Sequence, residues 1–391
     1  MTRAARPARE LVVRRSRWVL SYWDDDGGHL CEAVTGRDIP ADADDLALVA
    51  AAGDWIDERD LSMRAPGVSW REVRARVRAL ARAGVLERAD VPAPRAARHA
   101  DAWRHWGLPA LWFHAAARGA SWAAPADIPD LVRTRAADVP PTALASPLPA
   151  WPRGRVVTLP EPAGGDEVFA TLRARRTWRR FAGRPVPRGD FATLLHASFG
   201  VQAWMQGRIG GPYAMKTSPS GGACHPLDAY VVVQRVAGIR PGVFAYDPDR
   251  HRLIRLGRGG APDLRRWFPG QAAHPAAAAV CVLVARFARV QWKYHTARAY
   301  RVVMLDAGHV GQTFCLVATR LGLAPCCTGA FDDRVVEQAL GIDGIERAAV
   351  YAMGVGVRPA ATSWAPFADP ADLPRLTAPP ITARRRTCRK P

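Results

Sequence analysis

The feature that most restricts the possible folds of this chain is an uninterrupted apolar run from Ala276 to Ala285, which is followed by a long helical pattern. A run of this length predicts a buried strand. Beyond it, apolar residues recur at spacings of four and three, namely Val303, Ala307, Val310, Phe314, Val317 and Leu321. This spacing predicts a helix with one buried stripe that ends near Gly322. Helices and strands alternate from residue 166 to 357, which predicts an α+β or α/β domain.

Lys293 and Tyr294 lie between that strand and that helix. Lysine is rare in this chain, because the 55 basic residues include only three, Lys216, Lys293 and Lys390. Unlike a guanidinium, an ammonium near apolar walls can lose its proton and act as a base, and a neighbouring phenol can relay a proton. Lys293-Tyr294 is therefore a candidate acid/base pair, although spacing alone favours a pair of surface residues in a loop.

Length and composition limit the class of protein. At 391 residues we expect about two domains, because single domains mostly run to about 100 to 200 residues. No apolar run approaches the roughly 18 residues that cross a bilayer, and the N-terminus lacks a signal-peptide pattern, so we expect a cytoplasmic protein without a membrane partner. Seven cysteines without a C-x-x-C pair argue against disulfides and zinc. The formal charge of +19 favours anionic partners, although a GC-rich coding bias also enriches arginine.

Residues 1–91 predict a small winged-helix-like domain. A strand or two within Glu10–Trp23 precedes a turn cluster, and three helices and a short strand follow, predicted at Leu46–Ala52, Trp55–Leu61, Ser69–Ala83 and Val85–Glu87. Ser69 and Glu72 have the spacing of a capping box before the third helix, and Gly84 ends it. This helix is basic, so a DNA-binding role stays open; its arginines are Arg71, Arg74, Arg76, Arg78 and Arg82.

The remaining chain divides into three predicted parts. Residues 92–163 form a connector with some helix near Trp103–Ala117 and an irregular stretch at Pro140–Pro162. Residues 164–358 form the α+β domain, and residues 359–391 form a Pro/Arg-rich tail that is either disordered or wrapped on a partner subunit. The chain has neither G-x-G-x-x-G nor G-x-x-x-x-G-K-[ST], so neither a Rossmann nor a P-loop site is expected.

Two stretches of the α+β domain could bind a ligand. Arg175, Arg176 and Arg179, with Thr177 between them, can supply bidentate donors and a hydroxyl to a phosphate. In an arginine-rich chain such a cluster is more often a solvated face. The loop Ser218–Ala223 offers hydroxyls and two glycines that let the backbone approach a flat ring closely, although by itself it is more often just a turn.

Taken in order, six segments resemble the SagB-type, McbC-like dehydrogenases of the FMN-dependent nitroreductase superfamily. The resemblance covers about residues 165 to 357. The segments are Arg175–Phe181, Ser218–Pro226, Lys293-Tyr294, Arg298–Arg301, Asp306–Gln312 and Gly329–Asp333. Six motifs in the same order outweigh the surface-loop interpretation of Lys293-Tyr294.

The resemblance implies a homodimer of α+β domains, each with a central, mainly antiparallel sheet and flanking helices, and with FMN at the dimer interface. It also implies that Lys293 and Tyr294 are the catalytic residues, which take a proton from the substrate. The flavin accepts the hydride, because no side chain can do so. The FMN contacts that it implies come from Arg175, Arg176, Thr177, Arg179, Ser218, Pro219, Ser220, Gly221, Gly222, Gln312, Gly329 and Ala330.

Family members with the Lys-Tyr pair oxidise thiazolines or oxazolines of ribosomally made peptides to azoles. The resemblance therefore implies a precursor peptide and a cyclodehydratase complex as partners, and argues against nucleic acid. Cys224 departs from the arginine that is common at its position, and the N-terminal unit resembles winged-helix modules that hold leader peptides. Three alternatives stay open: dehydrogenation of another peptide residue, a small-molecule NAD(P)H-dependent flavin reductase, and a leader-binding or regulatory protein without turnover.

Overall fold

The computed structural model describes residues 10–64, 67–92, 101–118, 166–206 and 212–360, together with residues 99, 127, 130, 159 and 160. Most of the predicted irregular stretch at Pro140–Pro162 and the tail from residue 361 lie outside these ranges. The described chain is an α+β protein: a large domain with a six-stranded sheet follows a small unit of short strands and three helices, as predicted.

The large sheet is antiparallel throughout and has the strand order β11-β10-β9-β12-β14-β13. Its central strand β12 confirms the predicted buried strand, because all its residues except Arg286 are buried. The strand begins at Ala279 and not at Ala276, since Ala273–Ala276 forms a helical turn. The bounds are β9 Leu227–Val233, β10 Gly242–Asp247, β11 Arg252–Leu256, β12 Ala279–Arg286, β13 Leu323–Thr328 and β14 Arg347–Val357.

Alternate residues of β12 face two cores, as the two-residue period of a strand requires. Cys281 and Leu283 pack with the helices of one face, and Val280, Val282 and Val284 pack with those of the other. The first face carries α6 Arg188–Phe199 and α10 Ala299–Arg320, and the second carries α7 Leu264–Trp267, α8 Ala273–Ala276 and α11 Asp333–Leu340. The remaining helices of this domain are α5 Glu167–Ala174 and α9 Ala288–Gln291.

Helix α10 is the predicted one-sided helix, and it begins four residues before the first stripe residue. Within the described ranges it is also the one helix long and apolar enough to cross a membrane by length and composition. Its stripe residues Val303, Ala307 and Phe314 are buried in the cores of this domain. A hairpin that the sequence did not reveal, β7 Val201–Met205 with β8 Tyr213–Lys216, leads into the glycine-containing loop.

The N-terminal unit has the predicted three helices followed by a strand. Its helices are α1 Ala43–Ala51, α2 Glu58–Met63 and α3 Trp70–Ala83, and strands β1 Val12–Arg15, β5 Ile56–Asp57 and β6 Leu86–Arg88 form an antiparallel sheet. The prediction that α2 starts at Trp55 was wrong, because Ile56–Asp57 pairs with β1 and the Asp57 carboxylate caps the helix. Ser69 caps α3 as predicted, and Gly84 ends it in the left-handed conformation.

The N-terminal unit contains a second small sheet, of which the sequence predicted only the first strand. It consists of β2 Val19–Asp24, β3 Gly27–Glu32 and β4 Arg37–Pro40. The predicted connector does contain helix, at α4 Gly107–Ala117, preceded by a 3₁₀ turn at Asp101–Trp103. This segment shares one core with Trp18 of the N-terminal unit and Phe287 of the large domain, and so joins the two units.

Candidate active site

The loop Ser218–Gly222 lies along one face of helix α10. Ser218 Oγ is 2.8 Å from Thr313 Oγ1, Pro219 O accepts a hydrogen bond from His309 at 3.3 Å, and Ser220 Oγ donates to Asp306 Oδ2 at 2.5 Å. Gly221 packs against Val302. Contacts at positions 302, 306, 309 and 313 follow the four-three spacing of one helix face, so the loop is fixed along three turns of α10.

Asp306 is the anchor of this loop, and it was not among the predicted site residues. Its side chain is buried, and besides the Ser220 hydroxyl it accepts the Gly221 N–H at 3.2 Å. Ser220 Oγ in turn accepts the N–H of His225 at 2.9 Å. The sequence carries two signals for it, its place at the start of the Asp306–Gln312 segment and a carboxylate beside the apolar stripe of α10, where burial requires hydrogen-bond donors.

The two glycines are required by the chain itself. A Cβ at Gly221 would overlap the Val302 side chain, and one at Gly222 would overlap the Tyr294 hydroxyl. Gly222 also has a φ of +62°, which a residue with a Cβ adopts at a cost. The structure thus gives these glycines a packing role within the chain, and their close approach to a flat ring stays a prediction.

Lys293 and Tyr294 meet this loop from the turn between α9 and α10, which confirms their predicted place between the strand and the helix. Lys293 Nζ donates to Gly222 O at 2.9 Å, and its charge is 5.8 Å from the ring centres of Tyr213 and Tyr294. In the single chain Lys293 is exposed and Tyr294 is half-buried. The two side chains thus converge on Gly222, where an ammonium and a phenol lie next to one carbonyl group.

Behind the loop lies a cavity of about 20 Å³, which is room for one water molecule. Lys216, Ser218, Ser220, His225 and Asp306 contribute to its lining. Burial, followed by the charge of Arg289, lowers the pKa of Lys216 to about 8, and burial together with the charge of Lys216 lowers the pKa of His225. Lys216, which the sequence marks only as one of three lysines, lies directly beneath the loop.

The arginine cluster lies at the end of α5, next to strand β13. Trp178 N donates to Pro325 O at 2.9 Å and so ties the segment to that strand. Arg176 turns its guanidinium onto the backbone, donating to the carbonyls of Arg173 and Arg175 at 2.6 Å each. No carboxylate among the described residues pairs with Arg175 or Arg179. Arg175 and Arg179, with the half-buried Thr177, can donate hydrogen bonds to an anion. Arg176 in this conformation donates to carbonyl groups of its own segment.

Gln312, Gly329 and Ala330 complete the predicted contacts. Gln312 and Gly329 are exposed, and Ala330 O accepts the side-chain amide of Gln271. Close by, the sulfurs of Cys315 and Cys327 are 3.3 Å apart; this contact and the charge of Arg175 lower the pKa of Cys315 against the opposing effect of burial. No hydrogen bond or ion pair between described residues joins this arginine end to Lys293–Tyr294. The predicted site residues therefore form two groups along α10.

Cys224, the departure noted in the sequence, lies against the same carbonyl that Lys293 binds. Its Sγ is 3.8 Å from Gly222 O, and burial raises the pKa of its thiol. Among the described residues, no three His, Cys, Asp or Glu side chains come together as a metal site. Cys224, Lys293 and Tyr294 thus surround Gly222.

The α+β fold thus brings a lysine and a tyrosine to a glycine loop, and it places Arg175 and Arg179, without a carboxylate partner among the described residues, at the end of α5. The chain matches the nitroreductase family over residues 172–357. It is 32% identical over 169 residues to the Methanocaldococcus jannaschii protein MJ1384, whose name places it among the nitroreductases; the match covers 43% of this chain and 81% of that protein. The chain belongs to the nitroreductase family and is an oxidoreductase.

Two further comparisons concern proteins of peptide processing. The trifolitoxin-processing protein TfxB of Rhizobium leguminosarum bv. trifolii is 34% identical over 151 residues, or 37% of this chain and 40% of TfxB. A chain of the Escherichia coli microcin synthetase McbBCD complex with truncated pro-MccB17 is 19% identical, covers 59% of this chain and 92% of its own length, and has a TM-score of 0.39. This chain thus spans less than half the length of TfxB.

Proposed function

We propose that this protein is an FMN-dependent dehydrogenase that acts in the maturation of a ribosomally made peptide and oxidises thiazoline or oxazoline rings to azoles. The observation that carries the proposal is the convergence of Lys293 and Tyr294 on Gly222. The similarity to a trifolitoxin-processing protein supports a peptide as the substrate. Each ring oxidation removes one hydride and one proton, so the site must provide an acceptor for each.

Proton removal falls to the chain's own residues. Lys293 is exposed in the single chain and Tyr294 is half-buried beside it, so a peptide ring can approach the pair from the side of the lysine. The hydrogen bond from Nζ to Gly222 O holds the amine in place, and one member of the pair accepts the substrate proton while the other orients it. The pair also lies beside the buried Ser220–Asp306 contact, which keeps the loop from shifting during the step.

Proteins of the nitroreductase superfamily generally bind FMN, which, when bound, accepts the hydride. The residues present fit such a group, because Arg175 and Arg179 lack carboxylate partners among the described residues and Thr177 offers a hydroxyl between them. A phosphate carries about two negative charges and accepts bidentate hydrogen bonds from guanidinium groups. In our proposal these three residues bind the FMN phosphate and the Ser218–Gly222 loop flanks the ring system.

The N-terminal unit is proposed to bind the precursor peptide. A groove of about 430 Å³ runs between the end of α3, strand β6 and the β3–β4 turn, and it is lined by Arg14, Arg37, Arg82 and Arg88 together with Glu32 and Glu87 among others. Among the described strands β6 pairs with β1 alone and lies at the edge of its sheet, and we propose that an extended peptide adds to this edge. A cyclodehydratase, which would make the rings, is the proposed partner complex.

The test is peptide oxidation by single variants, followed by mass spectrometry as a loss of 2 Da per ring. Well-placed general-base catalysis is worth about 10²- to 10⁴-fold in rate. We expect Lys293→Ala and Tyr294→Phe each to lose most of the oxidation while the bound flavin spectrum is kept, and Lys293→Arg to be no better than alanine, because a guanidinium stays charged. The double variant should lose less than the product of the two losses, since both serve one step.

The exposed Arg265 of α7, on the face of the sheet opposite α10, provides the control, and Arg265→Ala should retain the rate. Near-normal oxidation by Lys293→Ala at saturating FMN would show that the pair consists of ordinary surface residues without a catalytic role.

A second function, that of a small-molecule reductase that uses NAD(P)H, is favoured by the match to MJ1384. This match covers 81% of that nitroreductase relative. Rapid turnover of nitroaromatic compounds with NAD(P)H, unchanged in Lys293→Ala, would support this second function.

A further inference from the structure

The segment Asp101–Arg118 lies outside the residues that match the nitroreductase family, yet it packs directly on the turn that carries Lys293 and Tyr294. Trp106 Nε1 donates to the carbonyl oxygen of Tyr294 at 3.0 Å. The imidazole of the preceding residue, His105, stacks on that of His295 with ring centres 3.9 Å apart. Two consecutive residues of the segment thus hold two consecutive residues of the turn.

The segment is itself firmly anchored, so it can act as a support. Trp103 is fully buried and donates through Nε1 to Ile345 O at 2.9 Å, and its ring lies 4.8 Å from that of Phe287. His114 is buried between Tyr300 Oη at 3.0 Å and Gly344 O at 2.9 Å. Burial lowers the pKa of His114 to about 4, so the ring is neutral at neutral pH and can accept a hydrogen bond at one nitrogen while donating at the other.

The hydrogen bond of Trp106 fixes the backbone at the point where the two functional side chains leave it. Lys293 N and Tyr294 N both bond back to Val290 O, at 3.1 and 3.0 Å, so the turn is held on its N–H side by α9 and on its carbonyl side by Trp106. Without the indole N–H, the turn keeps its bonds on the N–H side and loses this bond on its carbonyl side. We expect Tyr294 then to shift, and its ring to move relative to Lys293 Nζ at Gly222.

We propose that Trp106 is a positioning residue for the Lys293–Tyr294 pair, and that the segment Asp101–Arg118 is part of the active site. The catalytic meaning of this inference rests on the function proposed above. The positional part does not, because it concerns only the geometry of the turn.

The chain offers a matched pair of variants. Trp106→Phe and Trp267→Phe each remove the indole of a buried tryptophan, 3% and 2% exposed respectively, but Trp267 belongs to the core on the opposite face of the large sheet from α10. Only the first of them contacts the turn. The three lysines make the readout simple, because reductive methylation with ¹³C-formaldehyde gives one NMR signal for each of Lys216, Lys293 and Lys390 besides the N-terminus. The Lys293→Arg variant assigns the signal of Lys293.

We expect Trp106→Phe to shift the Lys293 signal and to change its methylation rate, and Trp267→Phe to leave both as in the wild type. In the unmethylated enzyme, Trp106→Phe should lower kcat for peptide oxidation by about 10- to 100-fold with flavin absorbance and KM retained, since small misplacements of reacting groups cost this much. An unmoved Lys293 signal in Trp106→Phe, or equal shifts in both variants, would overturn the inference.

If Trp106→Phe does not fold, benzothienylalanine at position 106 keeps the ring size and removes only the donor, and the same outcomes apply. The result also separates the two proposals. A shifted Lys293 signal in a protein whose wild type oxidises no peptide ring would support the positional role and reject the peptide dehydrogenase.

Discussion

Neighbouring arginines of the α5–β13 junction differ in what they can offer a ligand. Arg176 donates to two backbone carbonyls of its own segment, whereas Arg175 and Arg179 have no carboxylate partner among the described residues. A guanidinium without a partner keeps its donors available for a phosphate, and one that already bonds carbonyl groups must break those bonds first. Of the three, Arg175 and Arg179 are the stronger candidates for the FMN phosphate.

Replacement of Arg175 by alanine should therefore weaken flavin retention. A charge-assisted hydrogen bond contributes about 1.5 to 3 kcal/mol, which corresponds to an increase of about 10- to 100-fold in Kd. Titration of the apoprotein with FMN, followed by flavin fluorescence, measures the change. Arg180→Ala is the matched control, because Arg180 is an exposed arginine of the same segment outside the predicted contacts. A wild-type protein that gains no flavin spectrum with excess FMN would reject the cofactor.

The candidate site could be predicted in part from single residues. The rarity of lysine pointed to Lys293, and the glycines of the loop were recognised, although their close packing against Val302 and Tyr294 was not. Asp306 and Trp106 could not be found this way, because their roles depend on partners distant in sequence, Ser220 for one and Tyr294 for the other. Spacing along the chain carries no information on such contacts.

At the scale of elements, the basic helix α3 is less cationic than its sequence suggests. Arg76 pairs with Asp42, Asp45 and Glu72, and the buried carboxylate of Glu58 lies 3.3 Å from Arg74 and 3.6 Å from Arg78. Charges neutralised within the unit attract phosphates weakly. The DNA-binding interpretation thus loses much of its electrostatic basis, while the groove beside α3 keeps arginines that face an open space.

We therefore expect the protein to bind its precursor peptide and to show no sequence preference for duplex DNA at physiological salt. Fluorescence anisotropy with a labelled precursor and electrophoretic shift with DNA measure the two. Arg82 and Arg71 both lie on α3, but only Arg82 lines the groove, so Arg82→Gln should weaken peptide binding and Arg71→Gln should not. Tight, sequence-dependent DNA binding that persists at physiological salt would favour a regulator, because nonspecific attraction fades steeply with salt.

Helices and strands with a strong apolar pattern of their own were predictable from the sequence. Strands that form because a partner strand pairs with them were not. Strand β12 and helix α10 follow from their own apolar patterns. The hairpins β3–β4 and β7–β8 were missed, since their strands are short and partly exposed and lack the alternation that marks a half-buried strand. Helix α2 also begins later than predicted, because Ile56 and Asp57 pair with β1 and form a strand instead of a first helical turn.

At the scale of the whole molecule, apolar side chains remain uncovered on the large domain. Val168, Phe169 and Leu172 of α5 are 65%, 44% and 44% exposed, and Leu305 of α10 is 61% exposed. Exposed apolar groups of this size on adjoining helices are typical of a protein–protein interface. They support the proposal of a homodimer.

Sedimentation should accordingly give a mass of about 85 kDa, twice the 42.5 kDa of the chain. Phe169→Glu combined with Leu172→Glu places two charges on this surface, and we expect these changes to shift the protein to monomer. Met63→Glu, at an exposed apolar residue of the N-terminal unit, should leave the mass unchanged. A wild-type monomer at micromolar concentration would contradict the homodimer.

The loop that follows three turns of α10 also limits how this chain can change in length. Its contacts fall at Val302, Asp306, His309 and Thr313, and each inserted residue would rotate the rest of the helix by about 100°. One insertion between Val302 and Thr313 would therefore turn the later contacts away from the loop while the earlier ones stayed in place. Insertions and deletions in related chains should be found in the connections around this helix and not between these four positions.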